Sequence, residues 1–165
     1  MVSAEALFLI GDAAEERGDF AAARAAFEKG AELGDEFCLS RLAVMFDLGL
    51  GMNPNKGKAF RLYMQAWRRG SFTAGNNLAI LYRERGNRRG ELRWFERAAN
   101  RGDDGAKIEL AKHYLNGTST AASPLTALRF LAQAKAGGTL SQAEIEEADC
   151  IIASLRPKLA STNGD

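Results

Sequence analysis

The sequence predicts an all-α fold, a solenoid of four helix pairs closed by one further helix. Three observations predict it. A closing glycine recurs at Gly34, Gly70, Gly102 and Gly138, at intervals of 36, 32 and 36 residues, the spacing of helix-pair repeats. Set in register on those glycines, Leu42-Ala43 with Phe46, Leu78-Ala79 with Tyr82, and Leu110-Ala111 with Tyr114 put a large apolar residue, a small one and an aromatic on one face of each first helix. Each second helix carries Phe27, Tyr63, Phe95 or Leu131, followed three residues later by Gly30, Ala66, Ala98 or Ala134. A bulky residue one turn before a small one suits antiparallel helices packed ridge into groove.

Taken in order, the repeats span about 4–35, 36–71, 72–103 and 104–139 of one domain, 1–159. The first repeat has a weaker form of the motif, Ile10-Gly11 with Ala14, and a short turn at Gly18-Asp19, where Asp19 precedes Phe20 as an N-cap. The third repeat also turns briefly, at Gly86-Asn87. The second and fourth have longer connections, Gly49 to Ala59 and Gly117 to Ala127. In the latter, Ser123 before Pro124 starts a helix at the position where no amide hydrogen is needed. Ser141 with Glu144 forms a capping box that opens a ninth helix over 141–156. This helix sets Ile145, Ala148, Ile151, Ile152 and Leu155 against Glu146, Glu147 and Asp149, and ends near Arg156 because Pro157 follows. Its apolar side either caps the stack or docks on a partner or a second copy. Residues 160–165 read as a flexible tail.

The stretch Gly49-Leu50-Gly51-Met52-Asn53-Pro54-Asn55-Lys56-Gly57-Lys58-Ala59, then Tyr63, Ala66 and Gly70, resembles the Sel-1-like repeat of the tetratricopeptide superfamily. Ser119 stands where the second loop glycine of the fourth repeat would be, and the first and third repeats are more similar to tetratricopeptide repeats. The resemblance covers about residues 4–138 and rests on packing residues, so it speaks to architecture more than to function. It implies a right-handed superhelix whose first helices line a concave groove. Carried onto this chain, the lining is Phe8 and Asp12; Ser40, Arg41, Val44 and Asp47; Asn76, Asn77, Ile80 and Arg83; then Ile108, Lys112 and Leu115. In such a groove Asn76 and Asn77 would grip a peptide backbone while Arg83 and Lys112 receive a carboxylate. The expectation is a non-catalytic adaptor that binds a protein or peptide. The alternatives are a nucleic-acid or polyanion binder working through the third repeat, and a dedicated inhibitor or chaperone of one cognate protein.

Composition and charge narrow these classes. At 46% hydrophobic and 26% charged, with net charge +1, the chain is ordinary for a folded domain. No apolar run reaches the ~18 residues of a membrane span, and the opening Met1-Val2-Ser3-Ala4-Glu5 lacks the basic start of a secretory signal. The expected location is the cytoplasm and the expected state a monomer, with a dimer through the last helix as the alternative. Residues 1–36 carry a net −6 and residues 37–103 a net +8. Much of the basic charge is arginine in the third repeat: Arg83, Arg85, Arg88, Arg89, Arg93, Arg97 and Arg101. Either Arg93 and Arg97 pair with Glu91 or Glu96 on a solvated face, or the set receives an anionic partner. Nucleic acid is the weaker partner, because among nearby aromatics only Trp94 is not already assigned to the core.

Candidate chemistry is sparse. Cys38 and Cys150 match no metal spacing and sit among apolar neighbours, as two buried free thiols. The single histidine, His113, aligns with Ala13, Met45 and Leu81, which predicts a partly buried ring in a packing role. A general base needs a positioned partner and a nucleophile to serve, and none is recognisable beside it. The Gly49-Leu50-Gly51 loop follows no strand and precedes no lysine-serine pair, so it reads as a turn and not a phosphate cradle. No enzyme, metal or cofactor is expected.

Overall fold

The computed structural model describes residues 2–117 and 122–160, with side chains up to Leu155. The expectations placed on Ser119 and on residues 161–165 lie outside the described residues. Among those described there are nine helices and no strand: α1 (Ala4–Glu16), α2 (Phe20–Glu32), α3 (Glu36–Leu48), α4 (Lys56–Arg69), α5 (Phe72–Glu84), α6 (Arg88–Asn100), α7 (Asp104–Asn116), α8 (Pro124–Gly137) and α9 (Gln142–Ala160). The protein is an all-α repeat fold.

Local chemistry sets the helix ends. Side-chain oxygens of Ser3, Asp19, Asp35, Asn55, Asn87, Asp103 and Ser123 each accept an amide hydrogen of the first turn. Ser141 and Glu144 form the expected reciprocal box, with Ser141 N donating to Glu144 Oε2 at 2.8 Å and Glu144 N to Ser141 Oγ at 3.4 Å. The four closing glycines all have positive φ, between 79° and 113°, a conformation that costs a residue with a Cβ but not glycine.

The backbone divides into two compact units, Met1–Leu81 and Tyr82–Asp165. In the first, Phe27 and Tyr63 are buried beside Ala23, Ala26, Ala59 and Ala66. Gly30 stands where the other repeats have alanine because a Cβ there would lie 2.8 Å from the Cβ of Cys38. The inward stripe of α1 is Leu7, Gly11 and Ala14, at helical spacing, so Ile10 is displaced outward and is 53% exposed. This corrects the expected first-repeat motif: Leu7, not Ile10, supplies its large residue.

In the second unit, Phe95 and Leu131 occupy the corresponding buried positions with Ala98 and Ala134 one turn on. α9 closes this unit. Ala148 is buried in one cluster with Ile108, Ala111, Ala127, Leu131 and Ala134, and Ile151 and Ile152 pack against it. Two expectations for α9 need correction. Cys150 is exposed, since it lies 200° round the helix from Ala148, on the side of Glu146, Glu147 and Asp149; only Cys38 is buried. The helix also continues past Arg156 to Ala160. A proline forfeits one hydrogen bond and disfavours the residue before it, but helices absorb this with a local bend.

Candidate functional site

In the first unit, most of the predicted groove residues of α1, α3 and α5 are half-buried, and several are brought together. Phe8 sits between Phe27 and Phe37, with ring centroids 6.2 and 5.8 Å away. Arg41 spans from α3 to α1, its Nη2 2.7 Å from Glu15 and 3.8 Å from Asp12. Ser40 shares a hydroxyl contact of 3.1 Å with Ser71, which in turn accepts the amide hydrogen of Ala74 at the start of α5. Asp47 is 2.6 Å from Lys56 Nζ and accepts a long hydrogen bond from Tyr63 Oη. Val44, Asn76, Asn77 and Ile80 complete this half-buried set. The inward oxygens of Glu15 and Asp47 are answered by the cations Arg41 and Lys56. Arg41 Nε and Asn76 Oδ1 are different: both are buried and neither has a hydrogen-bond partner among the described residues.

In the second unit the predicted residues separate. Ile108 is 2% exposed and belongs to the core cluster under α9, so it has no surface to offer. Arg83 and Lys112, expected to receive a partner's carboxylate, are already engaged: Arg83 donates to Glu91 and Glu109, and Lys112 Nζ lies 2.7 Å from Glu109 and 2.6 Å from Glu147. For Lys112 one carboxylate, Glu109, lies one turn earlier on α7, and the others come from different helices of the same chain, which the repeat register alone does not reveal. Leu115 packs at the edge of the α7–α9 cluster.

The centre of this network is Glu91, fully buried on α6. It accepts from Arg83 Nε and from Arg88 Nη1 at 3.1 Å, and His113 Nε2 lies 3.3 Å from it. Burial alone would raise its carboxyl, but the bonds from Arg83 and Arg88, with the charges of Arg83 and His113, hold it below the usual carboxylate range. Glu109 is likewise depressed by Lys112 and Arg83 against its own desolvation. The reciprocal effect raises Lys112 and Arg83, in both cases against the opposing pull of burial. His113 is 5% exposed and stacks obliquely on Phe95 at 5.9 Å. A cavity of about 310 Å³ beside it is lined by Arg83, Arg88, Glu91, Glu109, Lys112, His113 and Asn116, none of which is a hydroxyl or thiol nucleophile. Each of its two carboxylates is bonded to two cations, as in a structural network.

As a surface partner of Arg93 or Arg97, Glu91 is expected on a solvated face, but it is buried. A signal existed. Four residues before Phe27, Tyr63 and Leu131 stand Ala23, Ala59 and Ala127, all fully buried, and Glu91 holds the same place before Phe95. Arg97 instead lies over the Trp94 ring at 4.8 Å, and neither Arg93 nor Arg97 forms an ion pair among the described residues.

Helix pairs with one repeated packing motif define the class as an α-helical repeat protein, and known structures specify it further. The chain superposes with a TM-score of 0.70 on a protective antigen of uropathogenic Escherichia coli strains that displays an SLR fold, at 24% identity over 81% of this chain and 30% of that one. It superposes equally, at 0.70, on a Sel1 repeat protein from Oxalobacter formigenes, at 18% identity over 83% of this chain and 59% of that one. The fold is therefore the Sel1-like repeat fold, and the chain spans 30% and 59% of the lengths of these two proteins. No protein-family model matches the sequence, and no curated protein does. Among the described residues no helix is long and apolar enough to cross a membrane.

Proposed function

We propose that the protein is a non-catalytic interaction scaffold that takes an extended peptide, or an extended segment of a protein, on the first-helix face of the unit Met1–Leu81. The observation that carries this reading is the pair of unanswered buried atoms, Arg41 Nε and Asn76 Oδ1. A buried polar group left without a partner costs about 1–3 kcal/mol, and native proteins rarely tolerate one without a use for it. Arg41 and Asn76 are each only half-buried, so a turn of either side chain would present its atom to a bound chain, each residue of which brings a C=O and an N–H. On α1, α3 and the part of α5 up to Leu81, half-buried Phe8, Val44 and Ile80 offer apolar contact and Asp12, Ser40, Asp47 and Asn77 offer polar contact, the mixture found at interfaces.

Further features support the finer parts of the reading. The sequence's one histidine is committed to Glu91 and Phe95, which favours a scaffold over an acid–base catalyst. Two free cysteines favour a reducing compartment such as the cytoplasm. The inward packing of α9 favours a monomer over a dimer formed through that helix.

The test is selection of binding peptides from a random library on the immobilised chain, followed by calorimetry with the synthetic winners. The combined change Arg41→Ala, Asn76→Ala and Asn77→Ala should weaken binding at least about tenfold, because a few central groups dominate an interface. Arg83 is left intact in this variant, since an acid there would face Glu91 and Glu109. If the selected peptides bind the triple variant as tightly as the original, the first-helix face is not the site.

A further inference from the structure

In the unit Tyr82–Asp165, α6 carries a second surface. Arg89, Arg93 and Arg97 recur every four residues, so they rise along one side of the helix at about 6 Å per step. All three line one groove of about 550 Å³, together with Tyr82, Asn87 and Trp94. No carboxylate lines it. Arg89 and Arg93 are exposed, and no ion pair involves either among the described residues. The contrast with Arg83 of α5 and with Arg88 at the start of α6 is direct, because those two are bonded to Glu91.

We infer that this groove docks an acidic peptide segment lying extended along α6, with carboxylates at alternate residues meeting Arg89, Arg93 and Arg97. Alternate side chains of an extended chain fall on one side and repeat about every 6.6 Å, close to the rise between successive arginines. Guanidinium groups bind carboxylates through two parallel hydrogen bonds, which turns that spacing into selectivity. The aromatic residues of the groove decide against a nucleic acid. Trp94 is 6% exposed and one of its faces lies under the Arg97 guanidinium. Tyr82 is pressed against Gly90, where a Cβ would collide with the ring. Neither ring is open for a base to stack on, and stacking is what holds single-stranded nucleic acid beyond its charge.

The experiment is fluorescence anisotropy on the full chain with three labelled probes of equal charge, at concentrations up to about 1 mM, the weak end of specific affinity. One peptide alternates Glu with Ser, a second has the same composition with its glutamates in one block, and the third probe is a single-stranded oligonucleotide. The alternating peptide should bind at least about fivefold more tightly than the blocked one. Arg89→Glu with Arg93→Glu should weaken it at least tenfold, while Arg61→Glu with Arg129→Glu, two exposed arginines on α4 and α8, changes net charge equally and should shift it less than twofold. Arg97 stays in place so that Trp94 remains covered. Should the double glutamate variant lose its helical circular dichroism, Arg89→Gln with Arg93→Gln replaces it, with the same tenfold loss expected. Equal losses in the row and control variants, no preference for the alternating peptide, no binding of any probe, or tighter binding of the oligonucleotide would each overturn the proposal. None of these outcomes bears on Arg41 and Asn76, which this experiment leaves unchanged.

Discussion

Replacing Glu91 with alanine tests the network that organises the second unit. Breaking a buried ion pair from one side costs about 3–5 kcal/mol when the abandoned charge stays buried. Here the abandoned cations do not stay dry: the Arg83 and Arg88 side chains are 39% and 57% exposed and can turn to water, whereas the His113 ring, at 6%, stays buried. The expected cost is therefore below that range, roughly 2–3 kcal/mol, including the hydrogen bonds lost. With a urea slope of about 1–3 kcal/mol per molar, the unfolding midpoint should fall by roughly 0.7–3 M. Glu96→Ala, an exposed acid on the same helix, should stay within about 0.5 kcal/mol. A second readout comes from pH. Because the Glu91 carboxyl is held below its unfolded value by Arg83 and Arg88 against burial, its contribution is present above the unfolded value and is lost as pH falls through the folded one. Glu91→Gln should therefore flatten the acid limb of the stability curve. Equal costs for Glu91→Ala and Glu96→Ala, or an unchanged acid limb in Glu91→Gln, would refute the assignment of Glu91 as the buried hub.

Further outcomes follow from packing and exposure. Ala111→Leu, at a fully buried position in the cluster under α9, should overpack the interface and cost roughly 1–3 kcal/mol in a urea melt. Thr139→Val removes a hydroxyl that donates to the buried Asp104 at 2.7 Å and should cost about 1–3 kcal/mol by the same assay. Ending the chain at Gly138 uncovers Ile108 and Leu131, so light scattering should show self-association or calorimetry a lower melting temperature. With a thiol reagent, exposed Cys150 should react at once and Cys38 only on unfolding, since Cys38 is buried and desolvation, with Asp35, pushes its thiol up to about 12.

The fold was legible because repetition multiplies a weak signal. A single Leu-Ala-aromatic set means little, but three sets at one offset from three glycines, each closing a helix pair, leave few alternatives. The register failed where one repeat departs from the rest: Ile10 imitates the motif, yet the helical stripe through Gly11 and Ala14 selects Leu7. The candidate site was legible only in part. Sequence offsets place residues on a helix face, which is enough to put Asp12, Arg41 and Asn76 on faces that the structure leaves half-buried. They do not say which charges on adjacent helices meet, so the engagement of Arg83 by Glu91 and Glu109 was hidden. The aligned positions did hold the clue that two polar residues, Glu91 and His113, occupy places that are otherwise apolar. Two such exceptions on neighbouring helices are most cheaply buried facing each other.

The central claim is that the first-helix face of the unit Met1–Leu81 receives a peptide, and amide chemical-shift mapping tests it most directly. A peptide selected on the protein is titrated into the isotope-labelled full chain. The account predicts that shifts gather on α1, α3 and the part of α5 up to Leu81, with the Asn76 side-chain amide and the Arg41 Nε–H among the largest. Shifts confined to α2, α4 or the helices after α5, with those two groups unmoved, would contradict it.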